Sequence, residues 1–122
     1  RRSSASATSS AWVRGYWRTL RAGKAVRGRA SWYPSTRTWH GFAAVALPGG
    51  RYRPRGTETQ FVKVCAKTRC ATVPVVDYCD CYINTANSRI ADLSLPLVRK
   101  LRLKRSQGIY TITIRLVPAR VL

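Results

Sequence analysis

The sequence predicts a small, mainly β domain: a β-barrel with one short helix just before its last strand, preceded by a basic N-terminal arm. Three observations carry this. Tyr110, Ile112, Ile114 and Leu116 alternate with Thr111, Thr113 and Arg115, the period of two that marks a strand buried on one face. Two β-rich runs, 61–65 and 70–77, bracket the short turn Ala66-Lys67-Thr68-Arg69. Ahead of the last strand Ser94 is a good N-cap, and Pro96 is tolerated in a first helical turn. Leu97, Val98 and Leu101 then share one face, with Arg99, Lys100, Arg102, Lys104 and Arg105 largely opposite. No dinucleotide-binding or P-loop glycine pattern appears.

At 122 residues the chain supports one core. Its 23 Lys and Arg against 4 Asp and Glu give a net charge of +19. That implies an anionic partner at long range: nucleic acid, an anionic wall polymer, a membrane surface or an acidic protein. Attraction to nucleic acid is expected from the charge alone, non-specific and steeply salt-dependent. No run approaches the roughly 20 apolar residues of a transmembrane helix. No Met begins the sequence and no apolar signal core opens it, so a processed mature form or a piece of something longer is expected.

Taken in order, residues 1–10 are Ser-rich, basic and of low complexity, and read as a flexible arm. Residues 11–29 interleave Trp12, Tyr16 and Trp17 with Arg14, Arg18, Arg21, Lys24, Arg27 and Arg29. Such a pattern suits a phosphate backbone with stacked bases. Docking of the aromatics onto the domain, or onto a neighbouring subunit, is the preferred reading. The arm is thus set at 1–27 and the barrel at 28–122. Residues 29–32 form a first strand, stopped by Pro34 and Ser35. Residues 42–47 are a buried strand or a turn of helix, closed by Pro48-Gly49-Gly50. Residues 49–60 are a loop rich in turn formers and positive charge, and Pro74 points to an edge or bulge in the 70–77 strand.

Four cysteines, Cys65, Cys70, Cys79 and Cys81, suit an oxidising compartment and favour two disulfides. Cys65 and Cys70 oppose each other on the expected hairpin, within reach of a bridge. Four thiolates on zinc are the alternative, but Cys-x-Cys is tighter than the usual spacing of structural zinc pairs, so neither a metal nor another cofactor is expected. The four carboxylates are Glu58, Asp77, Asp80 and Asp92, and three of them fall within 77–92. In so basic a chain these acids stand against the composition. Asp77 sits where a β-rich run opens into a loop, a habitual place for functional groups. Asp92 lies just before the helix, where the exposed amides and the dipole favour an acid in any case. Asp80 has the plainer reading of a partner for one of the arginines.

The residues also resemble a known family. Gly28-Arg29-Ala30-Ser31-Trp32-Tyr33 resembles the opening Gly-x-Ala-Ser-Trp-Tyr of rare lipoprotein A-like (RlpA-like) domains, and Ala43-Ala44-Val45-Ala46-Leu47-Pro48 their Ala-Ala-His-x-Leu-Pro. Val75-Val76-Asp77 is similar to the strand ending in their Asp-Arg-Gly-Pro loop. Ile90-Ala91-Asp92-Leu93-Ser94 is similar to their Ile-Asp-Leu-Ser, and Gly108 with the strand after it to their closing Gly-x-x-x-Val. The motifs run in order over residues 28–117. The resemblance implies a six-stranded double-psi β-barrel, the fold shared with expansins and barwin-like proteins.

In bacterial members the resemblance implies a lytic transglycosylase acting on peptidoglycan through the loop aspartate, a histidine and an upstream acid. Asp77 stands at the aspartate position, but Val45 stands at the histidine position and no acid precedes Glu58. Tyr78-Cys79-Asp80 replaces Arg-Gly-Pro. Expansins are similar at this site: their Thr-Asp-Phe-Cys-Pro and Asp-Leu-Ser match Val76-Asp77-Tyr78-Cys79 and Asp92-Leu93-Ser94. They imply wall loosening without an established hydrolytic step, with both aspartates involved.

Asp77 and Asp92 are therefore the catalytic candidates, since two carboxylates in one cleft can divide acid and base roles in glycan cleavage. Trp32, Tyr33, Trp39, Tyr78 and Tyr82 are candidates for stacking on sugar rings, Trp32 and Tyr33 being equally readable as core residues. His40, the sole histidine, joins them through its neighbour Trp39. The expected function is a secreted, envelope-associated or virion-borne barrel. It binds or loosens bacterial wall glycan (peptidoglycan or another anionic wall polymer), with enzymatic activity left open. The alternative is a structural module of a phage tail or surface filament, whose arm contacts neighbouring subunits.

Overall fold

The computed structural model describes residues 11–34, 41–54, 56–83 and 85–118. The arm expected at 1–10 and the candidates Trp39 and His40 lie outside the described residues. The strands are β1 (Val26–Tyr33), β2 (Val45–Leu47), β3 (Phe61–Ala66), β4 (Arg69–Tyr78), β5 (Ala91–Ser94) and β6 (Tyr110–Leu116). They close into a barrel in the order β1–β5–β2–β4–β3–β6. Helix α1 (Ala11–Arg21) precedes the barrel. Helix α2 (Leu95–Lys100) and a 3₁₀ turn (Arg105–Gln107) connect β5 to β6.

The expected barrel, with its one short helix before the last strand, is what forms. On β6 Tyr110, Ile112 and Ile114 are buried while Thr111 and Arg115 are exposed. The β3–β4 hairpin pairs Cys65 with Cys70, and the two are bridged. Ser94 caps α2 and is fully buried: its Oγ accepts from Leu97 N–H at 3.4 Å and Ala44 N–H at 2.9 Å and donates to Phe42 O at 2.9 Å. One hydroxyl thus caps a helix and also holds the chain leading into β2. Residues 42–47, open between strand and helix in the sequence, give the three-residue strand β2, paired parallel to β4 and antiparallel to β5.

Helix α1 is not among the sequence expectations. Its signal was present: Val13, Tyr16, Trp17 and Leu20 follow the i, i+3, i+4, i+7 spacing of one helical face, and all four are buried in the barrel's core cluster. Two polar anchors fix it. Tyr16 Oη–H donates to Ile90 O at 2.9 Å and Trp17 Nε1–H to Pro48 O at 2.7 Å. The helix ends because Gly23, at φ 78°, reverses the chain. Its N–H bonds Leu20 O and the N–H of Lys24 bonds Thr19 O, which satisfies two of the last carbonyls. The aromatics of 11–21 are thus spent on the barrel. β1 begins at Val26, two residues before the start expected for the barrel.

Candidate functional site

Alternation along the short strands sorts core from groove. Val45, Leu47, Ala91 and Leu93 point into the core, so Ala46 and Asp92 between them point to the other face. On β1 the same alternation sends Ser31 and Tyr33 to that face. The register then lines the site up. Ser31 lies opposite Asp92, Asp92 opposite Ala46, and Ala46 opposite Asp77. One row, Ser31–Asp92–Ala46–Asp77, thus crosses β1, β5, β2 and β4.

Asp77 reaches this row through an irregularity. Val73 and Val75 are core residues, and unbroken alternation would carry Asp77 into the core after them. The β2–β4 register shifts instead: Val45 faces Val75 but Ala46 faces Asp77, leaving Val76 as an extra residue. Such a bulge re-aims the next side chain, here the carboxylate, onto the groove face. Pro74 itself is neither at an edge nor in the bulge, being paired in regular register with Phe61 on β3.

The two acids stand two strand spacings apart, roughly 9.5 Å between backbones. Ser31 Oγ–H donates to Asp92 Oδ1 at 2.9 Å, drawing that carboxylate toward β1, while Asp77 Oδ1 accepts from the N–H of Tyr78 at 2.8 Å. Between them Ala46, 5 % exposed, leaves the middle of the row open. The groove has a volume of about 670 Å³, and its walls include Tyr33, Tyr78, Asp80 and Tyr82 besides the row. Burial first, then the charges of Asp92 and Asp77, push the Tyr33 phenol far above the ordinary tyrosine value. It is neutral at physiological pH.

The groove floor is closed by the Cys79–Cys81 disulfide, buried with Tyr33 and Ala46. All four cysteines are disulfide-bonded, which removes the zinc alternative. Cys81 and Tyr82 both adopt left-handed backbone, at φ 50° and 51°, a conformation that non-glycine residues adopt at a cost. The bridge and the bond from Arg89 N–H to Cys81 O at 2.7 Å hold this turn. It presents Tyr82, 62 % exposed, at the groove edge with the Arg89 guanidinium 4.8 Å from its ring centre.

Of the site candidates, Asp77, Asp92, Tyr33, Tyr78, Tyr82, Cys79 and Cys81 come together here. Trp32 does not. It follows Ser31 and precedes Tyr33, so it points to the opposite face, packs against the core and donates Nε1–H to Arg105 O at 3.2 Å. Cys65 and Cys70 bridge the β3–β4 hairpin and are not among the groove residues. Val45, at the position where the resembling family has histidine, is fully buried with its side chain in the core. The residues that sequence reasoning missed are Ser31 and Ala46. The period-two alternation around Tyr33 and Val45 was the available signal for both.

No protein-family model and no curated protein sequence matches the chain. Solved structures do. The chain is similar to a Streptomyces papain inhibitor, with a TM-score of 0.55 and 19 % identity over 79 % of this chain and 96 % of that one. It is similar to the apo expansin of Clavibacter michiganensis, with a TM-score of 0.54 and 21 % identity over 77 % of this chain and 50 % of that one. An aspartate-to-asparagine variant of that expansin, in complex with cellohexaose, matches with a TM-score of 0.54 and 20 % identity over the same shares. The chain therefore spans about half the length of the expansin. At these identities the likeness establishes the fold, a double-psi β-barrel.

Proposed function

We propose that the groove binds bacterial wall glycan, with peptidoglycan strands as the ligand, and that the protein acts outside the cytoplasm by binding or loosening rather than by efficient cleavage. The observation that carries this reading is the four-strand row Ser31–Asp92–Ala46–Asp77. It sets two residues with acceptor carboxylates on a rigid sheet, their backbones about 9.5 Å apart, with a small residue between them where a sugar ring can sit. Asp77 and Asp92 accept hydrogen bonds from sugar hydroxyls, and Tyr82 offers an exposed ring for the apolar face of a sugar. Glycans are held by this mixture of directional polar groups and aromatic faces. A protein that takes over hydroxyls otherwise bonded between strands loosens the polymer without breaking a covalent bond.

Two findings support binding over cleavage. The family's histidine position is a core valine, and each carboxylate accepts a hydrogen bond from a neighbour of its own, Ser31 for Asp92 and the Tyr78 N–H for Asp77. A structure of the same fold was solved with a glucan oligosaccharide, cellohexaose. Two disulfides fit an oxidising, extracytoplasmic setting. The assembly alternative has less to draw on, because Val13, Tyr16, Trp17 and Leu20 are buried against the chain's own barrel.

The test is co-sedimentation with purified peptidoglycan at about 0.15 M salt, where surface charge is screened beyond about 8 Å, with released muropeptides assayed in the same tubes. Wild type is expected to pellet without releasing products, and Asp77→Ala to bind about tenfold more weakly, as for one lost charge-assisted hydrogen bond. No pelleting, or equal pelleting of the variant, defeats the proposal. Anhydro-muropeptides that vanish in Asp77→Ala would show an enzyme instead.

A further inference from the structure

A second cavity lies where the end of α1 meets the loop after β2. It has a volume of about 250 Å³, and its walls carry Arg21, Arg51 and Arg53 together with Thr59 and Gln60. No acidic side chain lines it among the described residues. We propose that this cavity is a binding site for phosphodiester groups of a polyol-phosphate polymer, separate from the glycan groove.

The site is built rather than incidental. The Trp17 indole is fixed by its bond to Pro48 O, and the Arg21 guanidinium lies 5.5 Å over its ring. Stacking uses the face of the guanidinium and leaves its N–H edge for an anion. The loop is pressed onto the helix at Gly49, which has φ 75°; a Cβ there would stand 2.7 Å from Val13 and 2.8 Å from Trp17. Arg53 is tied to the barrel by its N–H, which bonds Val76 O at 2.7 Å. Arg51 and Arg53 both line the cavity, while Tyr52 between them is exposed and is not among its walls. Three arginines lining one cavity, with no carboxylate among the described walls to neutralise them, match the charge of a phosphate group, and a guanidinium fork suits its oxygens.

Size and lining select the polymer. A cavity of about 250 Å³ is smaller than the roughly 300 Å³ lower bound of drug-sized sites. It admits one phosphodiester and its flanking carbons while the chain continues outside. Single-stranded nucleic acid is held by basic grooves with exposed rings for stacked bases. Among the described residues the only aromatic on these walls, Trp17, is buried, with the Arg21 guanidinium over its ring. The cavity therefore takes phosphodiesters joined by small polyols. This inference does not rest on the groove reading, since a protein that ignores uncharged glycan can still bind here.

A chain of net charge +19 attracts any polyanion, so the experiment compares variants of equal charge. Calorimetric titration with polyglycerol phosphate at about 0.15 M salt is run on wild type, the pair R51Q/R53Q and the pair K67Q/R69Q. Lys67 and Arg69 are exposed at the hairpin turn, and Arg69 lies roughly 20 Å along β4 from Val75 on the cavity wall. R51Q/R53Q is expected to bind about tenfold or more weakly, and K67Q/R69Q to stay within about threefold of wild type. R21Q supplies an independent variant on the helix and should weaken binding in the same direction. Asp77→Ala should leave it unchanged. Equal losses from the two pairs would reduce the effect to net charge and overturn the site, as would no loss from R51Q/R53Q. Duplex DNA at equal phosphate concentration, bound as tightly and with the same dependence on R51Q/R53Q, would overturn the polyol assignment.

Discussion

The two sides of the barrel follow different rules. β3, β4 and β6 have 6, 10 and 7 residues, pair antiparallel with one another through β3, and keep a regular register. β2 and β5 have 3 and 4 residues and are wedged between distant parts of the chain, each with one parallel and one antiparallel neighbour. The long-stranded side is a scaffold that local sequence dictates. The short-stranded side carries the groove, and its geometry comes from a bulge and from partners far away in the chain. The lesson is that the carboxylates sit where regular pairing is interrupted, Asp92 on a strand of four residues and Asp77 just past the bulge where β4 meets β2.

Truncating the core on each side tests this division and should give the largest effects. Leu93→Ala on β5 and Val64→Ala on β3 each remove a fully buried side chain, with losses of about 3 kcal/mol or more for the leucine and about 2 kcal/mol for the valine in denaturant unfolding. Only Leu93→Ala is expected to weaken glycan binding as well, because Leu93 neighbours Asp92 on a strand four residues long. Equal binding losses would erase the distinction.

Next comes Ser94→Ala. It leaves the Ala44 and Leu97 N–H groups and the Phe42 carbonyl without that hydroxyl, and should lower stability by about 2–3 kcal/mol. Ser94→Thr is expected to recover part of the loss. A loss below about 1 kcal/mol, the usual value of a helix cap alone, would mean that the tie to β2 contributes nothing.

The disulfides sharpen the contrast further. Cys65→Ser/Cys70→Ser opens a short loop on the regular side and should lower stability by about 2 kcal/mol or less with binding unchanged. Cys79→Ser/Cys81→Ser is expected to change stability no more than that and yet to weaken glycan binding, since this bridge holds the left-handed turn that presents Tyr82. Binding affected by the first pair and not the second would reverse the assignment.

The smallest effect is spectroscopic. Tyr16 and Tyr33 have phenols raised above the ordinary 10.0, Tyr16 by burial and Tyr33 by burial and then by Asp92 and Asp77. A group whose folded value is raised contributes stability that is complete below the unfolded value and is lost as pH climbs through and beyond it. The contribution of both tyrosines should therefore fade above about pH 10. In a tyrosinate absorbance titration Tyr33 should not respond near that pH, so Tyr33→Phe should leave the first phase unchanged. A reduced first phase would place the Tyr33 phenol in water.

What the sequence determined by itself was everything set by neighbours in the chain. The alternation of Tyr110 to Leu116, the opposed Cys65 and Cys70, the Ser94 cap, and Asp77 and Asp92 as acids against the composition all follow from periodicity, turn length and charge. Alternation also contained, unused, the separation of Trp32 from Tyr33 onto opposite faces, and the spacing of Val13, Tyr16, Trp17 and Leu20 contained α1. Tertiary structure alone decided that Asp77 faces the groove, because the extra residue Val76 reverses its side and is defined only by β2 lying alongside. It alone placed both acids opposite Ala46, and brought Arg21 on the helix to Arg51 and Arg53 on the loop. Local rules fix which way a side chain points within its own element. Which side chains meet depends on pairings across tens of residues, and those are settled only when the barrel closes.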